Sequence, residues 1–272
     1  MERSFVVIAL HLLYLIGAMN TVSFYDLGHA PYRPVWDLQT AIQQRLVDEK
    51  LLRRKKQKLY KPGEESNDVL LFVEHPHVYT LGKSGDEGHL LKGMAELSNI
   101  DAEFIEIDRG GDITYHGPGQ LVGYPILDLD RHFTDIHKYL RYLEEVMIRT
   151  CSEYGIEAGR IEGLTGVWVE NKKICAMGIR CSRWVTMHGF AFNVNVDLSY
   201  FNHIVPCGIS DKEVTSLEEL LGHKVNEPQV KEHLLTHFRD VFDVSVAKVD
   251  SLPELDDQFS YLKKSGKKAA SQ

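Results

Sequence analysis

Apolar residues recur along this chain with two different periods, and the switches between them outline its elements. Asn20 to Gly28 (NTVSFYDLG) reads as a first strand. Leu38, Ala41, Ile42, Leu46 and Leu52 then fall at helical spacing and predict a helix from Trp36 to about Lys56, with Pro34 as its opening signal. Asp68 to His75 (DVLLFVEH) is a continuous apolar run of buried-strand length. Pro76 breaks it before a shorter run, His77 to Gly82. Ala102 to Ile107 and Leu121 to Leu129 read as two more strands on either side of a glycine-rich stretch. The clearest helix runs from about Asp135 to Tyr154. Thr134 is placed to cap it and Gly155 to stop it, and Ile136, Leu140, Leu143, Met147 and Cys151 form its buried stripe.

Beyond that helix, Gly166–Val169, the turn Glu170-Asn171-Lys172 and Lys173–Arg180 predict a β-hairpin. Phe190 to Asp197 alternates in period two, as a strand does, and 201–209 reads as irregular chain. Ser216 to Leu221 carries a capping box (Ser216 with Glu219), and a last helix is expected from Pro228 to about Phe242. The polar, Lys-rich residues 250–272 read as a mobile tail. Hairpins mixed with separate helices predict an α+β fold with a mixed, largely antiparallel sheet.

The ends of the chain qualify this picture. Phe5 to Met19 is an apolar run of signal-peptide length, too short for a comfortable membrane span and interrupted by His11. Met19 reads as the natural start. Residues 1–18 are then an extension outside the domain, which occupies 19–249, and no stable membrane association is expected.

Composition narrows the function classes. The net charge of −8 argues against nucleic acid as a partner, because phosphate binders carry basic surfaces. Cysteines at 151, 175, 181 and 207 form no C-x-x-C pair, so reduced thiols in a cytoplasmic setting are expected rather than a zinc site or a disulfide framework. Cys151 falls in the core, and Cys175 and Cys181 share strand parity with Met177 and Ile179, which makes packing their default role. The basic run from Lys50 through Arg53, Arg54, Lys55, Lys56 and Lys58 to Lys61 is a solvated face, or a dock for an acidic partner. His75 and His77 flank a proline without a third ligand at metal-site spacing, so they read as strand-edge histidines.

Chemistry concentrates elsewhere. Arg109-Gly110-Gly111-Asp112-Ile113-Thr114-Tyr115-His116-Gly117-Pro118-Gly119-Gln120 lies between two apolar runs. Its glycines let backbone approach a ligand, its Arg supplies a fixed cation, and a plain turn would need none of its Thr, Tyr, His or Gln. Cys207 sits between Pro206 and Gly208 in irregular chain, where a packing role is less natural than for the other cysteines, and its own context leaves reactivity and burial equally open. By its own context Lys173 is a solvent-facing hairpin lysine.

These pieces resemble one family. The stretch 109–120, Lys173-Ile-Cys-Ala-Met-Gly-Ile-Arg180, His188-Gly-Phe-Ala-Phe-Asn-Val-Asn195, Pro206-Cys-Gly208, and Leu71–Pro76 with Tyr79–Gly82 are similar in order to the motifs of lipoyl(octanoyl) transferases. The resemblance runs from about Ser23 to Phe242. It implies the fold of biotin and lipoate protein ligases. It also implies transfer of an octanoyl or lipoyl group from acyl carrier protein to a lysine of lipoyl domains, those of 2-oxoacid dehydrogenase complexes and of the glycine cleavage H protein. No cofactor or metal is implied, and a monomer is expected. By position, Cys207 corresponds to the acyl-thioester cysteine and Lys173 to the lysine that lowers its pKa. Arg109 through His116, then Ala176, Met177 and Gly178, then Gly189, Phe190 and Ala191, correspond to the acyl pocket. An ATP-dependent lipoate ligase on the same fold and a silent acyl-binding module are the rival readings.

Overall fold

The structure, a computed structural model, describes residues 20–60, 66–205 and 213–263. The expected N-terminal extension and Cys207 lie outside the described residues.

Strand β1 (Thr21–His29) is followed by α1 (Tyr32–Lys55), which starts earlier than the periodicity suggested. Pro34 lies in its first turn, where no intrahelical N–H bond is lost. Strand β2 (Val69–Glu74) is buried at every position, as an unbroken apolar run requires. There follow β3 (Val78–Leu81), the short helix α2 (Met94–Ser98), β4 (Glu103–Glu106), β5 (Ile113–His116) and β6 (Gln120–Ile126). Helix α3 (Ile136–Ser152) is capped by the Asp135 side chain, which accepts from Lys138 N; Asp135 takes the place expected of Thr134. Then come β7 (Val167–Val169), β8 (Lys172–Ser182), β9 (Val185–Asn193), β10 (Glu213–Val214), α4 (Leu217–Leu221), α5 (Glu227–Phe242), β11 (Ser245–Lys248) and α6 (Pro253–Asp256).

The main sheet is ordered β10-β8-β9-β6-β2-β1-β11, with β7 also on β8. Pairing runs antiparallel from β7 to β8, β9, β6 and β2, and parallel where β1, β11 and β10 join. This is the mixed sheet the sequence predicts. Helices α3 and α5 cover one face around Tyr139, Leu143, Phe190, Phe192 and Phe238; α1 covers the other around Leu38, Ile42, Leu71 and Ile126. A second, three-stranded sheet (β4-β3-β5) carries Ile113–His116, the middle of the glycine-rich stretch.

Several expectations are corrected. The strand placed at 190–197 lies at 185–193, because β8 and β9 form a hairpin through Arg183 and Trp184, both at positive φ (52° and 66°). After Asn193 the chain leaves the sheet, and the N–H groups of Val194 and Asn195 turn to Gly119 O. The tail placed from 250 is packed as far as 263. Leu252, Leu255, Phe259 and Leu262 are buried against the α1 face, since their spacing gives that segment an apolar side. Cys151 and Cys175 are buried, and burial pushes the Cys151 thiol up to about 12, but Cys181 at the hairpin end is exposed. His75 directly follows the last residue of β2. It is fully buried, and burial pushes it down to about 4.

Candidate active site

A cavity of 440 Å³ opens where β8 and β9 meet the glycine-rich stretch. Arg109 through Thr114 and His116 form one wall; Lys173, Ala176–Ile179 and His188–Ala191 form another. Leu140 of α3, the arc Gly163–Thr165, Tyr32 of α1 and Tyr124 of β6 close it. Its lining is mainly aliphatic and aromatic, with a few polar side chains among them, which suits an alkyl chain carrying one reactive group.

Two glycines shape the walls by close approach. The Arg109 side chain crosses Gly178, where a Cβ would lie 2.6 Å from Arg109 Cδ. The Phe190 ring lies over Gly123, where a Cβ would lie 2.1 Å from its Cζ. Arg109 is 8% exposed, and its guanidinium is held as a brace: Nη1 donates to Gly110 O (2.8 Å) and Nη2 to Asp112 O (2.8 Å) and Thr80 O (3.3 Å). It therefore folds its own loop onto β3, so that backbone faces the cavity. Gly110 N–H in turn donates to Ile179 O (3.0 Å), tying the loop to β8.

His116 and His188 line the cavity, and His75 packs edge-on against His116. His75 Nδ1 donates to Ala30 O (2.8 Å), so its bare Nε2 accepts from the Tyr124 hydroxyl (2.8 Å). His116 stacks on Tyr32 with ring centres 5.6 Å apart and donates from Nδ1 to Gln120 Oε1 (2.8 Å). That oxygen must be the acceptor, because Gln120 Nε2 donates to Asn193 Oδ1 and Tyr115 O. Burial, with His75 nearby, pushes His116 down to about 3, so it is a neutral hydrogen-bonding group. His188 has φ +60°, donates from Nε2 to Asp108 Oδ1 (3.0 Å), and is held neutral mainly by burial. Asp108 in turn ion-pairs with Arg180; the His188 hydrogen bond, helped by Arg180, keeps its carboxyl below the usual range.

Lys173 lies at the opposite end of β8 from the hairpin turn. Its backbone is gripped on both sides: β7 pairs Trp168 with it, β10 pairs Val214 with it, and Thr215 N–H donates to its carbonyl (3.0 Å). Its Nζ sits 4.7 Å from the centre of the Trp168 ring. The side chain thus reaches the cavity wall instead of the open solvent expected of a hairpin lysine. Strand β10 begins at Glu213, opposite Lys172.

Two expected pocket residues point elsewhere. Tyr115 is 0% exposed, stacks with Tyr200, and hydrogen-bonds His77 Nδ1 (2.7 Å), within the core beneath the small sheet. The Asp112 carboxylate turns to His89 Nδ1 (2.6 Å) and Ile113 N (2.7 Å), leaving its backbone at the wall. No residue of the basic run at the end of α1 lines the cavity. Tyr32 begins that helix in the cavity wall, and 24 residues at about 1.5 Å each set Lys55 about 35 Å away. Lys50 and Arg54 are moreover engaged with Asp128 and Asp130.

The family profile described as Lipoyl protein ligase A/B catalytic domain matches residues 40–239. The chain belongs to this family. Similar lipoyl ligase A/B family proteins include one named Octanoyltransferase from Flavobacterium psychrophilum, 54% identical over 233 residues, covering 84% of this chain and 99% of that one. Another Octanoyltransferase, from Cytophaga hutchinsonii, is 54% identical over 235 residues, covering 84% and 95%. Among solved structures, lipoate-protein ligase A bound with ATP superposes with TM-score 0.63 at 15% identity, covering 90% of this chain and 95% of that one. A bi-partite lipoate protein ligase from Thermoplasma acidophilum gives 0.62 at 16%, covering 90% and 92%. These structures share the fold of the chain.

Sequence reading missed Tyr32, Tyr124, Leu140 and the arc Gly163–Thr165, which also line the cavity. They come from four separate segments, and no local spacing links them. His188 and Arg180 fell inside quoted motifs, yet only the fold brings them together on Asp108. Among the described residues no helix is long and apolar enough to cross a membrane, and no three His, Cys, Asp or Glu side chains come together to hold a metal ion.

Proposed function

We propose that this protein is an octanoyltransferase of protein lipoylation. It takes an octanoyl or lipoyl group from acyl carrier protein and passes it to a lysine of lipoyl domains, those of 2-oxoacid dehydrogenase complexes and the glycine cleavage H protein. The observation that carries the reading is an apolar cavity with Lys173 at one end, in a chain 54% identical to proteins named Octanoyltransferase.

The chemistry follows from the residue types. The Cys207 thiolate adds to the donor's thioester carbonyl, and backbone N–H groups stabilise the oxyanion. Collapse breaks the carbon–sulfur bond to the carrier, whose sulfur takes a proton from the Lys173 ammonium and leaves as a thiol, and octanoyl-Cys207 remains beside a neutral Lys173. The acceptor amine then attacks that thioester, Lys173 accepts its proton, and the cysteine thiolate departs. A thioester becomes an amide, which is downhill, so no ATP is consumed. In this reading the Lys173 ammonium beside the thiol favours its ionised form. The alkyl tail lies against Met177 and Phe190, which line the cavity side by side, directly paired across β8 and β9. The thiol must be kept reduced, which fits a cytoplasmic setting.

Incubating the protein with octanoyl-carrier protein and a lipoyl domain, with and without ATP, tests the reading by the mass of the domain. Octanoylation independent of ATP is expected. Octanoylation that needs ATP and free octanoate would give the protein to the ligase class instead.

A further inference from the structure

We propose that Glu144 of α3 is the positioning residue that fixes the Lys173 side chain, acting through the backbone of Gly166. The consequence for acyl transfer rests on the proposed role of Lys173; the positioning itself does not.

Pairing on both edges fixes the Lys173 backbone, so its remaining freedom is the flexible four-carbon stem. Two walls bound that stem. One is the Trp168 ring, whose centre is 4.7 Å from Nζ. The other is Gly166: a Cβ there would lie 3.6 Å from Lys173 Cε and 2.6 Å from Cys175 O. With φ at +119°, Gly166 occupies backbone space that only glycine enters readily, and so needs something to hold it.

Glu144 holds it. The side chain is 0% exposed, and Oε1 accepts from Gly166 N (3.1 Å) and pairs with Arg141 Nη2 (3.0 Å). Oε2 accepts from Arg160 Nε (2.9 Å), while Arg160 Nη2 donates to Arg141 O and Glu145 Oε2. One buried carboxylate thus ties down both ends of the segment from Arg160 to Gly166. Between those ends lie Gly163, Leu164 and Thr165, which line the cavity beside Lys173. A buried carboxylate with charged donors on both oxygens is costly to disturb, and its loss frees the arc and with it one wall of the Lys173 channel.

The test compares the parent, Glu144→Ala and Glu144→Gln, the last keeping an oxygen for Gly166 N–H but not the charge. Lysine labelled with ¹³C at Cε gives a Lys173 resonance, assigned by its loss in Lys173→Arg, and octanoyl transfer is measured in parallel across pH. In Glu144→Ala the Lys173 resonance should move, and transfer should fall about tenfold or more through misplacement of the reacting groups. Glu144→Gln should recover most of both. An unchanged Lys173 resonance and pH profile in Glu144→Ala, whatever happens to thermal stability, overturns the proposal. A moved resonance with parent-level transfer supports the positioning and removes Lys173 from the chemistry. If Glu144→Ala does not fold, Arg160→Met, which releases one anchor alone, should give a smaller shift in the same direction; no shift there overturns it too.

Discussion

Gly178→Ala is the sharpest probe of how the cavity wall is built. The added Cβ would fall 2.6 Å from Arg109 Cδ, 2.7 Å from Nη1 and 2.9 Å from Cγ, so the stem of that arginine has to move. Overpacking of this kind costs about 1–3 kcal/mol. The guanidinium cannot follow freely, because it is bonded at 2.8 Å to both Gly110 O and Asp112 O, and a hydrogen bond to a charged group contributes about 1.5–3 kcal/mol. A net loss of about 3 kcal/mol is expected, which for a chain of this size lowers Tm by about 6–12 °C. The loop that Arg109 braces is also a cavity wall, and a displacement of about 1 Å there should slow transfer by about 10²-fold. Gly159→Ala is the matched control: no atom lies within 4 Å of its added Cβ and its backbone is not left-handed, so it should stay within about 0.5 kcal/mol of the parent. Calorimetry and octanoyl-transfer rates on both proteins decide the matter. If the two variants melt and react alike, Arg109 is not packed on Gly178 as described.

Two further outcomes follow from burial. His75 and His116 have folded pKa values of about 4 and about 3, below an unfolded value of about 6.5, so the unfolded chain takes up protons first as pH falls. Stability is therefore fully present above about pH 6.5 and lost below it, by about 2 kcal/mol per histidine at about pH 5. Urea unfolding at about pH 7.5 and about pH 5 should show a smaller loss in His116→Gln than in the parent, and equal losses would contradict its burial as a neutral group. Leu255→Ala should lower stability by about 2–5 kcal/mol, since Leu255 is fully buried beneath α1; an unchanged melting temperature would return residues 250–263 to a loose tail.

Much of this site was legible in the chain because its motifs are local. Arg109–Thr114 with His116, Lys173, Ala176–Gly178 and Gly189–Ala191 all reach one cavity, since β8 pairs directly with β9 and the glycine-rich loop bonds back to β8 through Gly110. Tyr115 misled because strand alternation sends it to the opposite side from its neighbours, and the short strand β5 was not read inside a stretch so rich in glycine. The β8–β9 turn was hidden because Arg183 and Trp184 adopt positive φ without the Asn or Gly that usually marks such a turn. The packed C-terminal segment did carry a signal, the spacing of Leu252, Leu255, Phe259 and Leu262, but lysines beyond it dominated the composition. Glu144 could not be found this way. A glutamate on a helix reads as solvated surface, and only the fold brings Gly166 and Arg160 to it.

The central claim is an acyl-cysteine at residue 207, and intact-mass analysis tests it most directly. The protein is mixed with octanoyl-carrier protein in the absence of ATP and acceptor, then digested to locate any adduct. One octanoyl group per chain is expected, on Cys207 and not on Cys151, Cys175 or Cys181, absent in Cys207→Ser and discharged when a lipoyl domain is added. Transfer to the lipoyl domain at the parent rate by Cys207→Ser, or an adduct confined to another residue, would contradict the account.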